Sequence, residues 1–109
     1  MILTGKAKED FLKWFSNYSE KNHSLKGLYD KDIYLDGVEL PKELINALII
    51  EWFDSVGIYI NIENLYYQSW WSYKVKIIPN TFEEKVMVKT RSEATEQAIK
   101  KANGIYNEM

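Results

Sequence analysis

The sequence predicts an α+β fold, in which a three-stranded antiparallel sheet is packed on one face by helices in the order helix, loop, helix, strand, strand, strand, helix. The first observation is a change of hydrophobic period within residues 41–62, PKELINALIIEWFDSVGIYINI. Apolar residues recur every three or four positions before Gly57 and every second position after it, which is typical of a helix that turns directly into a half-buried strand. The second observation is that further strand patterns follow over short connections, which favours antiparallel pairing.

The first predicted helix spans residues 4–22, and Thr4 is placed to cap it. Its apolar side chains fall at helical spacing on one side: Ala7, Phe11, Trp14, Phe15 and Tyr18. Because this stripe is short, we expect the helix to dock on a larger body.

Residues 24–40 carry the weakest pattern in the chain. Asp36-Gly37 stands between two short apolar runs and has the chemistry of a tight hairpin turn. The runs on either side are too short to hold a hairpin unaided. We therefore predict an ordered connection that packs over the core.

The central helix lies between Pro41 and Gly57. Proline suits a first helical position, where a missing N–H does no harm, and glycine suits the left-handed residue that closes a helix. Ile58, Ile60 and Ile62 then alternate with polar neighbours as the first strand.

Two more strands and a final helix complete the prediction. The strands span residues 70–78 and 82–89, where apolar and polar residues alternate. Thr90 and Glu93 have the spacing of a capping box, in which a hydroxyl and a carboxylate each satisfy a free N–H group of a helix start. Three alanines on the buried side of this helix indicate a close approach to its neighbours.

Composition limits the function classes. A chain of 109 residues predicts a single domain, 1–109. It has no cysteine, no signal-like N-terminus and no apolar run long enough to cross a membrane, which fits a cytoplasmic protein. The net charge of −2 argues against a dedicated nucleic-acid binder. Aromatic residues make up 15%, more than a small core needs, so we expect several at the surface.

The residues give little support to catalysis or metal binding. His23 is the single histidine, and a metal site built on it would need carboxylates from elsewhere. Asp30, Asp32 and Asp36 fail the calcium-loop spacing, which would put its closing glutamate at Pro41. No phosphate-binding loop or nucleophile elbow occurs. We therefore expect a protein that is not an enzyme and carries no metal or cofactor.

The sheet face turned away from the helices carries the candidate partner-binding residues. With the adjoining aromatic loop, these are Tyr59, Tyr66, Tyr67, Trp70, Lys74, Lys76, Lys85 and Lys89. Lysines with aromatic anchors are typical of a docking surface for an acidic partner. An ordinary solvated face, with lysines that discourage edge pairing, explains the same residues without a partner.

Three blocks of the sequence resemble a known family. They are GKAKEDF at residues 5–11, WFDSVGI at 52–58, and TRSEA at 90–94 leading into AIKKANGIYN at 98–107. In this order they are similar to small uncharacterised proteins encoded by phages and prophages of gut bacteria. The resemblance implies a phage origin and a site in the cytoplasm of the host cell, and it assigns no activity or residue role.

Two functions therefore stand as expectations. The first is a non-enzymatic phage accessory protein that binds a host or phage protein, for instance to inhibit a host system, or that pairs with a second copy of itself through the aromatic loop. The second is nucleic-acid binding on the sheet face, because aromatics with scattered lysines suit single strands.

Overall fold

A computed structural model of the chain describes residues 1–21, 34–35, 38–65, 70–77 and 81–109. For residues 18–21, 34–35, 38–39, 65 and 81–87 only the backbone is described. The described residues form helices α1 (Gly5–Lys21), α2 (Lys42–Ser55) and α3 (Arg91–Glu108), and strands β1 (Tyr34–Leu35), β2 (Val38–Glu39), β3 (Ile58–Leu65), β4 (Trp70–Ile77) and β5 (Thr81–Val88). The α+β class is confirmed.

The larger sheet has the antiparallel order β3-β4-β5. Its register pairs Ile58 with Ile77 and Ile60 with Val75, so the apolar positions of both strands share one face. On this face α2 packs against β3, and α3 packs against all three strands. α1 packs in turn on α2 and α3. The pairing of β4 with β5 shifts register between Trp71 and Tyr73.

The connection predicted for residues 24–40 is wrong where the structure describes it. β1 and β2 pair as a small antiparallel sheet, with Tyr34 opposite Glu39 and Leu35 opposite Val38. Two-residue strands are not stable alone, but Leu40 directly after β2 is buried in the core. Burial of this residue fixes the end of the hairpin, which the local pattern did not show. Residues 22–33 and 36–37 lie outside the described part, and so does His23.

Trp52 joins the three helices. Its ring lies 5.9 Å from that of Phe11 on α1 and 4.9 Å from that of Tyr106 on α3, centroid to centroid. The ring of Phe53, the next residue on α2, is tilted against it at 4.7 Å, centroid to centroid. On α3, the fully buried Ala98 and Ala102 are among the alanines that allow the close approach expected from the sequence.

The start of α1 is capped from the other end of the chain. The side-chain oxygen of Asn103 accepts from the Thr4 N–H at 3.0 Å, and that of Asn107 accepts from the Ala7 N–H at 2.8 Å. The Thr4 hydroxyl instead accepts from Asn103 Nδ2, so its predicted capping role is wrong. Gly5 has a φ of +59°, and a Cβ there would stand 3.3 Å from Asn107.

The end of α2 predicted at Gly57 and the start of α3 predicted at Thr90 are both present. Gly57 follows α2 with a φ of +85°, in the left-handed region. The Thr90 hydroxyl accepts from the Glu93 N–H at 3.1 Å. Among the described residues the Thr90 N–H does not donate to the Glu93 carboxylate, so only one of the two bonds of the capping box is formed.

Replacing Trp52 with alanine is expected to lower the free energy of unfolding by ~3–5 kcal/mol, because it leaves a cavity where the three helices meet. Urea denaturation measures the loss. Trp14→Ala is the control, since Trp14 is half-buried on α1 and should cost much less. Equal losses for the two variants would show that Trp52 does not hold the core together.

Removing the hydroxyl of Thr90 is expected to destabilise the protein by about 1 kcal/mol through loss of the cap of α3. Ser92→Ala removes an exposed hydroxyl from the same turn and should stay within about 0.5 kcal/mol of wild type. Because no return bond is formed, Glu93→Ala should add to the loss of Thr90→Ala. A double mutant that loses clearly less than the sum of the two single losses would indicate a reciprocal box after all.

Tyr106 gives the protein a pH dependence in the alkaline range. Its hydroxyl donates to Asp10 Oδ2 at 2.5 Å, and this bond, with burial and the carboxylate charge, raises the pKa of Tyr106 from 10.0 to about 12. The folded state therefore holds this proton more tightly than the unfolded chain. The resulting stability is fully present below pH 10 and is lost as the pH rises to about 12.

We expect Tyr106→Phe to lose stability relative to wild type below pH 10, and the difference to shrink as the pH approaches 12. Denaturation series at several pH values measure it. A constant difference for Tyr106→Phe would mean that the bond to Asp10 does not shift the pKa.

Candidate functional site

The sheet face turned away from the helices, here called the open face, carries alternate residues of β3 and β4. Tyr59 lies opposite Lys76, and Asn61 lies opposite Lys74. Tyr59 is 42% exposed, and Lys76 and Asn61 are exposed as well. Between them, the residues that point to the helices are buried or half-buried. The two strands therefore present an aromatic ring beside an ammonium group at the surface.

The open face is covered at its other end. Ser72 lies on the same side of β4 as Lys74 and Lys76 by alternation, yet it is 3% exposed. It stands where the register between β4 and β5 shifts. Trp70, the next residue on this side, is half-buried. Only the end around Tyr59 and Lys76 is open among the described residues.

Lys74 belongs to a polar network on this face. Its ammonium lies 3.9 Å from Glu63 Oε1, and its side chain is 35% exposed. The same carboxylate oxygen accepts from Asn61 Nδ2 at 3.1 Å. Lys74 is therefore partly neutralised, whereas the sequence alone presented it as one of several equivalent cations.

The remaining predicted residues are placed less closely together. Lys89 is exposed in the bend between β5 and α3. Lys85 lies on β5, and only its backbone is described. Tyr66 and Tyr67 fall outside the described residues. The structure thus brings together Tyr59, Lys74 and Lys76 of the predicted set.

Helices α2 and α3 form a pair of grooves that the sequence did not reveal. One, the Ile45 groove, has a volume of about 420 Å³; its lining includes Ile2, Leu40, Lys42, Ile45, Asn46, Glu96 and Lys100. The other, the Ile50 groove, has a volume of about 470 Å³ and is lined by Glu43, Asn46, Ala47, Ile50, Arg91, Ser92 and Thr95. Both fall in the size range of ligand pockets.

Some of the residues that line the two grooves already take part in an ion pair or a ring contact. Lys42 pairs with Glu96, whose hydrogen bond and charge raise the pKa of Lys42. The Arg91 guanidinium lies 4.7 Å from the centre of the Trp71 ring, a cation–π contact. Asn46 lines both grooves. Its only signal in the sequence is its position as the one polar residue within LINALII.

The end of α2 carries a serine and an aspartate side by side, Ser55 and Asp54. Ser55 Oγ donates to the Trp52 carbonyl at 2.6 Å, so its proton is held by the helix end. Burial raises the pKa of the neighbouring Asp54.

Among the described residues, no cluster of three histidine, aspartate or glutamate side chains could hold a metal ion. None of the described helices is long and apolar enough to span a membrane.

Comparison with known proteins adds no relative. No family model matches the chain, and neither a curated protein nor a solved structure matches it.

Proposed function

We propose that this chain is a non-enzymatic phage accessory protein that binds a host or phage protein with an acidic surface, and that it docks through the open face. The observation that carries the proposal is the exposed pair of Tyr59 and Lys76, which lie directly opposite each other near one end of strands β3 and β4. The phage origin, a site in the host cytoplasm and inhibition of a host system rest on the resemblance of the sequence blocks alone.

The two side chains support different steps of association. An exposed tyrosine offers a rigid ring with a polar end, the type of residue that anchors many protein interfaces. Lys76 and the exposed Lys89 are cations on a chain of net charge −2. Such charges steer an acidic partner towards the face and raise the association rate more than the final affinity.

Single-stranded nucleic acid is the second candidate, and the same pair favours it. Bases stack on exposed aromatic rings, and lysines contact the phosphates. The net negative charge of the chain weakens this candidate. Both candidates weaken as salt rises, and binding to phosphates does so more steeply because it releases condensed counterions.

The test uses two kinds of variant. A partner is first captured by cross-linking from host lysate and then purified for binding kinetics. Lys76→Gln with Lys89→Gln is expected to slow association and flatten its salt dependence, with dissociation nearly unchanged. Tyr59→Ala is expected to cost at least about 1 kcal/mol of affinity, mainly through faster dissociation.

Lys13→Gln is the matched control, because Lys13 is an exposed lysine on α1, away from the sheet. A partner whose kinetics respond equally to Lys13→Gln and to the double variant would show that the open face is ordinary solvated surface. Tight binding of a single-stranded oligonucleotide at low salt, lost in Tyr59→Ala, would favour the second candidate. Sedimentation of the purified chain tests pairing with a second copy.

A further inference from the structure

Strand β3 is an edge of the larger sheet, and among the described residues no strand lies beside its outer side. β4 pairs with the inner side over all eight residues of β3, without a register shift. β3 makes no backbone hydrogen bond to any other segment that the structure describes. An edge strand leaves the N–H and C=O groups of every second residue without a partner in the sheet. The backbone of one further strand complements such groups.

The two edges of this sheet differ in how they are protected. Soluble proteins guard an edge strand against pairing with other chains by charged residues, proline, short length or a bulge. β5 has three consecutive charged residues at 83–85, and its pairing with β4 shifts register. β3 has the sequence IYINIENL, with one charged residue, Glu63, and no proline. The unprotected edge is therefore β3, which is expected where another strand covers it.

The side chains of β3 are also left partly uncovered on the side that faces the helices. Ile60 and Ile62 pack against the core but are only half-buried. Val75 and Tyr73, their direct partners on β4, are 1% and 3% exposed. The helices therefore cover β4 at these positions and leave the outer part of the two isoleucines open. A strand that completes this edge must present apolar side chains on the same side.

We infer that this strand is β3 of a second copy of the chain, paired antiparallel so that Asn61 lies opposite Asn61 of the second copy. In this register Ile60 lies opposite Ile62 of the second copy and the reverse, so each half-buried isoleucine gains an apolar cross-strand neighbour. On the other side of the sheet, Tyr59 lies opposite Glu63 of the second copy, so no like charges meet. The twofold axis runs through the Asn61 pair, and the interface is self-complementary, as a symmetric dimer requires.

Other registers of the same pairing fit less well. Because side chains alternate, only registers centred on a residue of β3 keep the isoleucines of both copies on the helix side. A pairing centred on Ile62 sets Ile60 against the exposed, polar Asn64. A pairing centred on Ile60 sets Ile62 against Ile58, which is already buried, and leaves the last two residues of β3 unpaired. The register centred on Asn61 therefore covers the most apolar surface.

This pairing is independent of the proposed function. The axis is perpendicular to the sheet, so the helices of both copies lie on one side and the two open faces join on the other. Lys76 lies on β4 and Lys89 follows β5, and neither is on the β3 edge. Lys76→Gln with Lys89→Gln is therefore expected to leave the dimer unchanged. Loss of an acidic partner and loss of the dimer are separate results.

The chain contains no cysteine, so single cysteines test the register directly. Asn61→Cys is expected to form a disulfide-linked dimer on mild oxidation, because opposite residues of antiparallel strands lie about 4.5–5.5 Å apart between Cα atoms, within the reach of a disulfide. Tyr59→Cys and Glu63→Cys should not cross-link alone, since each lies about four residues along the strand from its own copy. Mixed together, these two variants should cross-link. Asn17→Cys, at an exposed residue of α1, is the control for random oxidation.

Sedimentation equilibrium of the unmodified chain measures the affinity. Because the interface is small, we expect a weak dimer that forms between about 10 µM and about 1 mM protein. Asn61→Lys and Asn61→Asp should each weaken it about fivefold, since like charges then lie opposite each other, and an equimolar mixture of the two should restore it. Asn61 is exposed, so these changes leave the fold intact. Asn17→Lys and Asn17→Asp, at the control position, should have no effect.

Two results would overturn the inference. The first is a chain that stays monomeric up to about 1 mM, which would leave the β3 edge to a strand of a different protein. The second is a dimer in which Asn61→Cys cross-links no faster than Asn17→Cys, or in which the charge variants at residue 61 bind as wild type does. Such a dimer would pair through another surface, for instance the aromatic loop.

Discussion

The contact of Trp52 with Phe11 and Tyr106 is the interaction on which the helical layer depends. One side chain of α2 touches both other helices, so α1 is attached to the body of the protein through the same ring that places α3. Aromatic rings bury large areas and prefer tilted or edge-on contacts, and the angles of 67° and 62° at this site are of that kind. Because the helices are fixed here, the sheet below them has one face covered and one available to other molecules.

Helix α3 also binds the first residues of the chain through hydrogen bonds. Asn103 and Asn107 lie one turn apart and accept from N–H groups at the start of α1, which have no partner within their own helix. Asn107 Nδ2 also donates to the Thr4 carbonyl at 3.0 Å. Gly5 stands where a side chain would meet Asn107, so its backbone conformation and its missing side chain both fit this junction. The two ends of the chain are thereby held together.

Features that depend on neighbouring residues could be predicted from the sequence, and features that depend on distant ones could not. Alternation placed Ile58 inside and Tyr59 outside, because side chains along a strand change sides at every residue. The cap at Thr90 is equally local. Asn103 and Asn107 cap a helix about 100 residues away, and in a helical pattern they look like ordinary surface residues. The pairing of Lys74 with Glu63 requires the register of β3 with β4, which a single sequence does not contain.

The same limit applies to the way in which α2 is held. Towards its end, α2 buries Ile49, Trp52 and Phe53, whereas its start at Pro41 makes no side-chain capping bond. The start is instead joined to α3 by the ion pair of the exposed Lys42 with the half-buried Glu96. The start of α2 thus depends on a contact with α3 that is far away in the sequence, while Trp52 fixes the end of the helix against both α1 and α3.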